Sequence, residues 1–358
     1  MAPSASASGS DMKGKMRWVS ALLGIVFAAL FLFLWDDERP KTEYFLNQGK
    51  VFGTYYTIRY EATEDLADSI DAALKAFDNS LSMFNPHSTL SVINANRDTV
   101  TDAFFESMFS EAERVYRLSE GAFDITVAPL VNLWGFGFKN RVHVTEEQVD
   151  SARALVDFSR ISLNNHRLTK ADPRIMIDAG AVAKGQSCDM IADLLARNGS
   201  TNFLVEIGGE IVCKGANAKG DKWRIGITKP VDDNGGKSSA NSESLQEIIS
   251  VSDICMATSG NYRNFYYDGE QKRSHTIDPR TGHPVQHSLL SATVISSSCM
   301  RADALATACM VSGAKKALEM ISNAGDAACY LIVADGDSTR IVTSPNWVEA
   351  LTSSTAQE

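Results

Sequence analysis

The segment ADALAT places Asp303 and Thr307 four residues apart, on one face of a helix if the segment is helical. A carboxylate and a hydroxyl projecting together, joined by a main-chain carbonyl from elsewhere, make an all-oxygen site suited to Mg²⁺, which keeps several waters and shares phosphate oxygens. The competing reading is an acidic residue in a helix's first turn with a surface Thr beside it. The small residues Ala302, Ala304 and Ala306 leave room for a bulky ligand and weigh against that reading. Asp178 follows the apolar run Ile175–Ile177 and precedes a helix that carries Lys184 early. This carboxylate can cap the helix or hydrogen-bond a polar ring edge, while Lys184 can neutralise a phosphate. His275 is flanked by Arg273, Asp278 and Arg280, and histidine is a residue type that can take a proton from a hydroxyl nucleophile near neutral pH. The other histidines, His87, His143, His166, His283 and His287, have no metal-ligand spacing, and no GxSxG elbow supports a serine hydrolase.

Four glycine-bearing segments surround these residues: GAFDITVAPLVNLWGFG (121–137), IDAGAVAKG (177–185), VEIGGE (205–210) and ATSGNYRNFYYDGEQKRSHTIDPRTG (257–282). Glycine lets a backbone approach a ligand closely and turn its N–H groups toward an anion. None of the four matches GxGxxG or the phosphate loop GxxxxGK[ST], so generic nucleotide motifs are absent.

The elements that must hold these residues follow from periodicity. Lys50–Tyr60 alternates as a strand. Leu66, Ile70, Ala73, Leu74, Phe77 and Leu81 recur at helical spacing. A second helix is expected over Asp102–Ser119 and a third from Thr145, where TEEQ is a capping box. Arg160–Leu168 and Arg174–Ile177 read as strands around a turn, and Ala181–Arg197 as a helix stopped by Gly199. Further strands are expected at Asn202–Ile207, Trp223–Thr228, Ile248–Val251, Leu290–Ser296, Ala328–Ala334 and Thr339–Thr343, with helices near Arg301–Ser312 and Ala314–Asn323. Strands and helices interleave without regular βα alternation, which predicts an α+β fold of mixed or antiparallel sheets with helices in layers.

Composition bounds the function. The chain has 358 residues, 44% hydrophobic and 22% charged, as a folded globular protein does. A net charge of -10 gives a nucleic-acid backbone no general attraction. Six scattered cysteines without a CxxC pair argue against a zinc site or a disulfide scaffold. From Trp18 to Trp35 no residue is charged, and a helix of that length rises about 27 Å, enough to span a bilayer. Lys13, Lys15 and Arg17 precede it and Asp36, Asp37 and Glu38 follow, which keeps the N-terminus cytoplasmic and puts the working domain outside. A cleaved signal peptide is the rival, but no small-x-small cleavage site follows Leu34. The expected organisation is a disordered start (1–16), an anchor (17–35), a tether (36–48), one domain (49–346) with a mobile polar insertion (231–246), and a tail (347–358).

Taken in order, FGTYYTI, SMFNPHSTLSVIN, GAFDITVAPLVNLWGFG, IDAGAVAKG, VEIGGE, ATSGNYR, SHTIDPRTG and ADALAT resemble the ApbE family, the FAD:protein FMN transferases. The resemblance runs from about Gly49 to Ser344. It implies a two-lobed, T-fold-like architecture around a flavin cleft. FAD is then the substrate, and Mg²⁺ bridges its diphosphate while FMN passes to a Ser or Thr hydroxyl of an acceptor protein such as a redox or ion-pumping subunit, with AMP leaving. By position, Asp303, Thr307 and the backbone carbonyl of Ala181 match the metal ligands, and His275 matches the general base. Flavin contacts fall to Phe84, Ala122, Phe123, Asp124, Asp178, Lys184 and Ile277. Phe84 stands where relatives often carry Tyr, and Phe52 where many carry Met. Two alternatives share the same site: an FAD pyrophosphatase yielding FMN and AMP, and a flavin-storage protein without turnover. The family's usual lipid anchor is replaced here by a helix, so the resemblance implies an inner-membrane, single-pass protein whose catalytic domain faces the periplasm.

Overall fold

The computed structural model describes residues 41–137, 144–230, 245–261, 265–268 and 271–352. Its elements are β1 (Glu43–Val51), β2 (Thr54–Ala62), α1 (Ala67–Leu81), α2 (Thr89–Asn94), α3 (Ala103–Leu118), α4 (Ala128–Leu133), α5 (Glu146–Arg153), β3 (Ile161–Asn164), β4 (Arg167–Lys170) and α6 (Ala183–Arg197). There follow β5 (Phe203–Ile207), β6 (Glu210–Lys214), β7 (Trp223–Thr228), β8 (Leu245–Val251), β9 (Ile254–Gly260), β10 (Phe265–Asp268), β11 (Gln271–Ser274), β12 (Leu289–Ser296), α7 (Cys299–Ala324), β13 (Ala328–Asp335), β14 (Ser338–Thr343) and α8 (Trp347–Ala350). The expected anchor and most of the insertion lie outside the described residues. Among those described, no helix is long and apolar enough to cross a membrane.

Eight strands form one sheet in the order β1-β2-β5-β6-β9-β12-β13-β14, and β3–β4, β7–β8 and β10–β11 form separate ribbons. The strand pairs β2–β5 through β13–β14 are antiparallel. The central strands are buried at most positions rather than at alternate ones because both faces of the sheet are covered. In β13, Cys329, Leu331 and Val333 join the core beneath α7, while Ala328, Tyr330 and Ile332 join the core under the β7–β8 ribbon and Trp347. In β5, Phe203, Val205 and Ile207 pack toward α1 and α6, and Leu204 packs the other way. The chain from Tyr44 onward forms one compact unit.

Several expectations hold locally. Helix α3 is capped at both ends by the flanking residues named from sequence, with Asp102 accepting from the Phe105 N–H, and α5 carries the full capping box of Thr145 and Gln148. Gly313, at φ 75, separates the two helices expected over 301–323. Others change. Lys50–Tyr60 is not one strand but the turn and second arm of a hairpin, because Phe52 and Gly53 both take positive φ. Phe52 then packs on Phe77 inside the core, with ring centroids 5.4 Å apart. Arg174–Ile177 is not a strand: Arg174 lies in a turn that the Ile175 N–H closes onto the Asp172 carbonyl, and the Ile177 N–H and C=O bond the Asn94 side-chain amide, both at 2.8 Å. The domain also continues past 346, since Trp347 is buried against Tyr330. Leu245 and Gln246, placed in the insertion, begin β8. All six cysteines are free.

Candidate active site

A cleft of about 350 Å³ opens beside the N-terminal ends of α6 and α7, a size typical of small-molecule sites. Its polar end is assembled from three elements. The β5–β6 turn is Gly208–Gly209, both at positive φ, which starts β6 abruptly and places Glu210 opposite Ile207 at the mouth of the hairpin. Helix α6 crosses the start of α7 so closely that a Cβ on Gly185 would lie 2.2 Å from the Cys299 carbonyl oxygen. Asp189, one turn along α6, accepts the Cys299 and Met300 N–H groups, both at 2.8 Å, and so seats the head of α7.

That crossing brings Lys184 and Asp303 together. The lysine Nζ lies 3.1 Å from Glu210 Oε1 and 3.4 Å and 3.5 Å from the two Asp303 oxygens. Asp303, nearly fully buried, also accepts the Gly185 N–H at 3.1 Å. Burial works against the Lys184 ammonium, but Asp303 and Glu210 outweigh it and hold its pKa above the ordinary lysine value. Burial is the main force pushing Glu210 up to about 7, opposed by Lys184 and reinforced by Asp303. Thr307, one turn beyond Asp303, and Ala181, just ahead of α6, line the same cleft. Asp178 does not cap α6, whose N-cap is Val182. Its Oδ1 accepts the Gly180 N–H at 2.7 Å, and burial raises its carboxyl.

The other end is apolar. Ala122, Phe123, Ile125, Val127, Val131 and Phe136 face the cleft from one continuous stretch. Asp124 lines it too, yet its carboxylate is spent inward, accepting the Thr126 N–H and O–H and the Phe158 N–H. His275 and Ile277 complete the wall, with the His275 ring edge-on to Phe136 at 6.3 Å. The chain around them is clamped: Thr276 Oγ1 donates to Asn261 Oδ1 at 2.7 Å, Val285 N donates to Thr276 O, and Trp134 Nε1 donates to Gly282 O at 2.8 Å. The charged neighbours noted in sequence are engaged elsewhere. Arg280 grips Asp278 with two bonds of 2.9 Å, and Arg273 lies over the Trp134 ring.

The cleft joins Lys184, Asp303 and Thr307 at one end to an apolar wall with a histidine at the other, and the eight ordered motifs supply most of its lining. The ApbE family profile matches residues 52–331. This chain belongs to the ApbE family. It is 37% identical over 326 residues to the FAD:protein FMN transferase of Vibrio cholerae, covering 87% of this chain and 94% of that protein. It is 32% identical over 351 residues to the FAD:protein FMN transferase of Escherichia coli K12, covering 92% and 97%. The solved flavin transferase ApbE from Vibrio cholerae superposes with a TM-score of 0.76 at 36% identity, over 86% of this chain and 99% of that one.

Of the ApbE site residues read from sequence, all but one line the cleft. The exception is Phe84, 71% exposed and facing a small adjoining pocket, while Met83 takes the place on the main wall. Sequence reasoning missed Glu210. Its signal was a carboxylate directly after Gly-Gly between two apolar runs, a position that the antiparallel hairpin buries.

Proposed function

We propose that this chain transfers the FMN half of FAD to a Ser or Thr hydroxyl of an acceptor protein. The observation that carries this reading is the convergence of His275, Lys184, Asp303 and Thr307 on one cleft in a chain of this family. In the reaction, the acceptor oxygen bonds to the phosphorus of the FMN half as the P–O–P bridge breaks. AMP leaves with the bridging oxygen, and the hydroxyl proton passes to His275. The apolar wall from Phe123 to Phe136 suits a flavin ring, and the Lys184 ammonium suits a diphosphate.

The residues at the polar end also fit Mg²⁺. Asp303 already faces a cation, the Lys184 ammonium, and its companions Thr307 and Ala181 offer only oxygen. Among the described residues no three His, Cys, Asp or Glu side chains cluster as a metal cage. Asp303, Thr307 and the Ala181 carbonyl would therefore hold an ion that completes its shell with water and phosphate. Such an ion lends positive charge to the diphosphate oxygens. The reading also includes a membrane tether at 18–35 with the catalytic domain on the extracytoplasmic side, supported by the uncharged run and its flanking charges.

The test is incubation of the protein with FAD, Mg²⁺ and an acceptor carrying a Ser or Thr flavinylation site. An acceptor mass gain of one FMN unit is expected; FMN and AMP formed equally well without acceptor would mean pyrophosphatase activity, and unchanged FAD would mean storage. His275→Ala should slow transfer by about 10²–10⁴-fold with FAD affinity little changed. Equal losses in both would assign the ring to binding.

A further inference from the structure

Glu210 plays no part in the proposed reaction, yet it is 2% exposed and stands at the cleft floor. One of its oxygens takes the Lys184 ammonium at 3.1 Å, and the other, Oε2, is buried with no hydrogen-bond partner among the described residues. Burying a carboxylate this way is costly and calls for a reason beyond filling space. The Gly208–Gly209 turn fixes where the carboxylate stands. The bare α-carbon of Gly208 leaves the passage through which Lys184 reaches it, since a Cβ there would lie 3.1 Å from Lys184 Cδ and 3.3 Å from Glu210 Oε2.

The distances divide one ammonium unequally between two carboxylates, with the shorter bond to Glu210 and the longer pair to Asp303. We propose that Glu210 is a positioning residue: it draws Lys184 toward itself and so leaves the Asp303 oxygens open to a divalent cation. This rests on the reading in which Asp303 holds Mg²⁺. Without the Glu210 charge, the ammonium closes onto Asp303 and competes with the metal for the same oxygens. A salt bridge present only for stability would not affect metal affinity through Lys184.

The test is Mn²⁺ binding to the protein alone, followed by electron paramagnetic resonance with no diphosphate present, so that a contact between Lys184 and a diphosphate does not enter the result. Glu210→Gln should weaken Mn²⁺ binding about tenfold or more, as loss of an outer partner of a metal ligand does. Adding Lys184→Met to that variant removes the competitor and should restore affinity to within about threefold of the starting protein. Lys184→Met alone should bind Mn²⁺ at least as tightly as the starting protein, which keeps the proposal testable if Glu210→Gln does not fold. Unchanged binding in Glu210→Gln, no recovery in the double variant, or weaker binding in Lys184→Met would each overturn it. If the starting protein itself bound no Mn²⁺, the metal assignment would fall, and this proposal with it.

Discussion

At one end of the cleft, Lys184, Glu210 and Asp303 come from three elements spread over 119 positions of chain and meet within 3.5 Å. At the other, the wall from Ala122 to Phe136 is supplied by a single stretch whose side chains pack against His275 and Ile277. The charged end depends on main-chain approach: the Gly185 contact with Cys299, the Gly208 passage and the Asp189 bonds to the head of α7. The apolar end depends on side-chain packing, which yields to small changes in shape at modest cost. Charge in a buried site is sensitive to displacements that an apolar surface absorbs.

Breaking the main-chain approach should have the largest effect. Gly185→Ala places a methyl group against backbone atoms that cannot rotate away, and should lower unfolding stability in urea by about 3 kcal/mol. An unchanged midpoint would show that α6 and α7 can slide apart freely. A smaller effect is expected at Asp189. Burial pushes its carboxyl up to about 7, above the ordinary aspartate value of 3.8. Between those pH values the unfolded chain releases the proton while the folded protein keeps it. The contribution of Asp189 is therefore full below about pH 4 and declines as pH rises toward 7. Against Asp189→Asn, which cannot titrate, the native protein should lose ground across that interval in paired unfolding curves. A stability gap constant with pH would exclude a titrating Asp189. The smallest effect is expected at the apolar end: Phe84→Ala should change FAD affinity less than about twofold, because a side chain largely in solvent has little contact to lose. A tenfold loss by fluorescence titration would return Phe84 to the flavin site.

The difference between the two ends also explains what could be read from sequence. The apolar stretch is local, so GAFDITVAPLVNLWGFG carries its own signal, as do helix α1 with its buried stripe and helix α5 with its capping box. The order of the motifs marked the cleft residues even where spacing alone left Asp178 and Asp303 with two readings. Local patterns could not show partners supplied from afar. Arg174–Ile177 reads as a strand because Ile175–Ile177 is apolar, but a side-chain amide from Asn94 satisfies the backbone of Ile177. Strand β9 carries no separate signal because it follows β8 after a two-residue turn at Ser252–Asp253, where Asp253 takes positive φ without the usual glycine. Glu210 gains meaning only when the hairpin lands against α6 and α7. Asp124, a flavin contact by the resemblance, lines the cleft. Its three hydrogen bonds, which stitch its own loop to the start of the turn at Phe158, come from partners the local pattern does not show.

The break at Gly313 has a bearing on the cleft. His287 lies against this glycine, and its Nε2 is 2.7 Å from the carbonyl oxygen of Met310, near the point where the helical path is interrupted. The length of α7 that presents Asp303 and Thr307 is thereby a short strut, held by Asp189 at the head and by His287 at the foot. Strain entering the distal portion, Ala314–Ala324, ends at that joint rather than travelling up the rod, and the spacing of the oxygen donors is set locally.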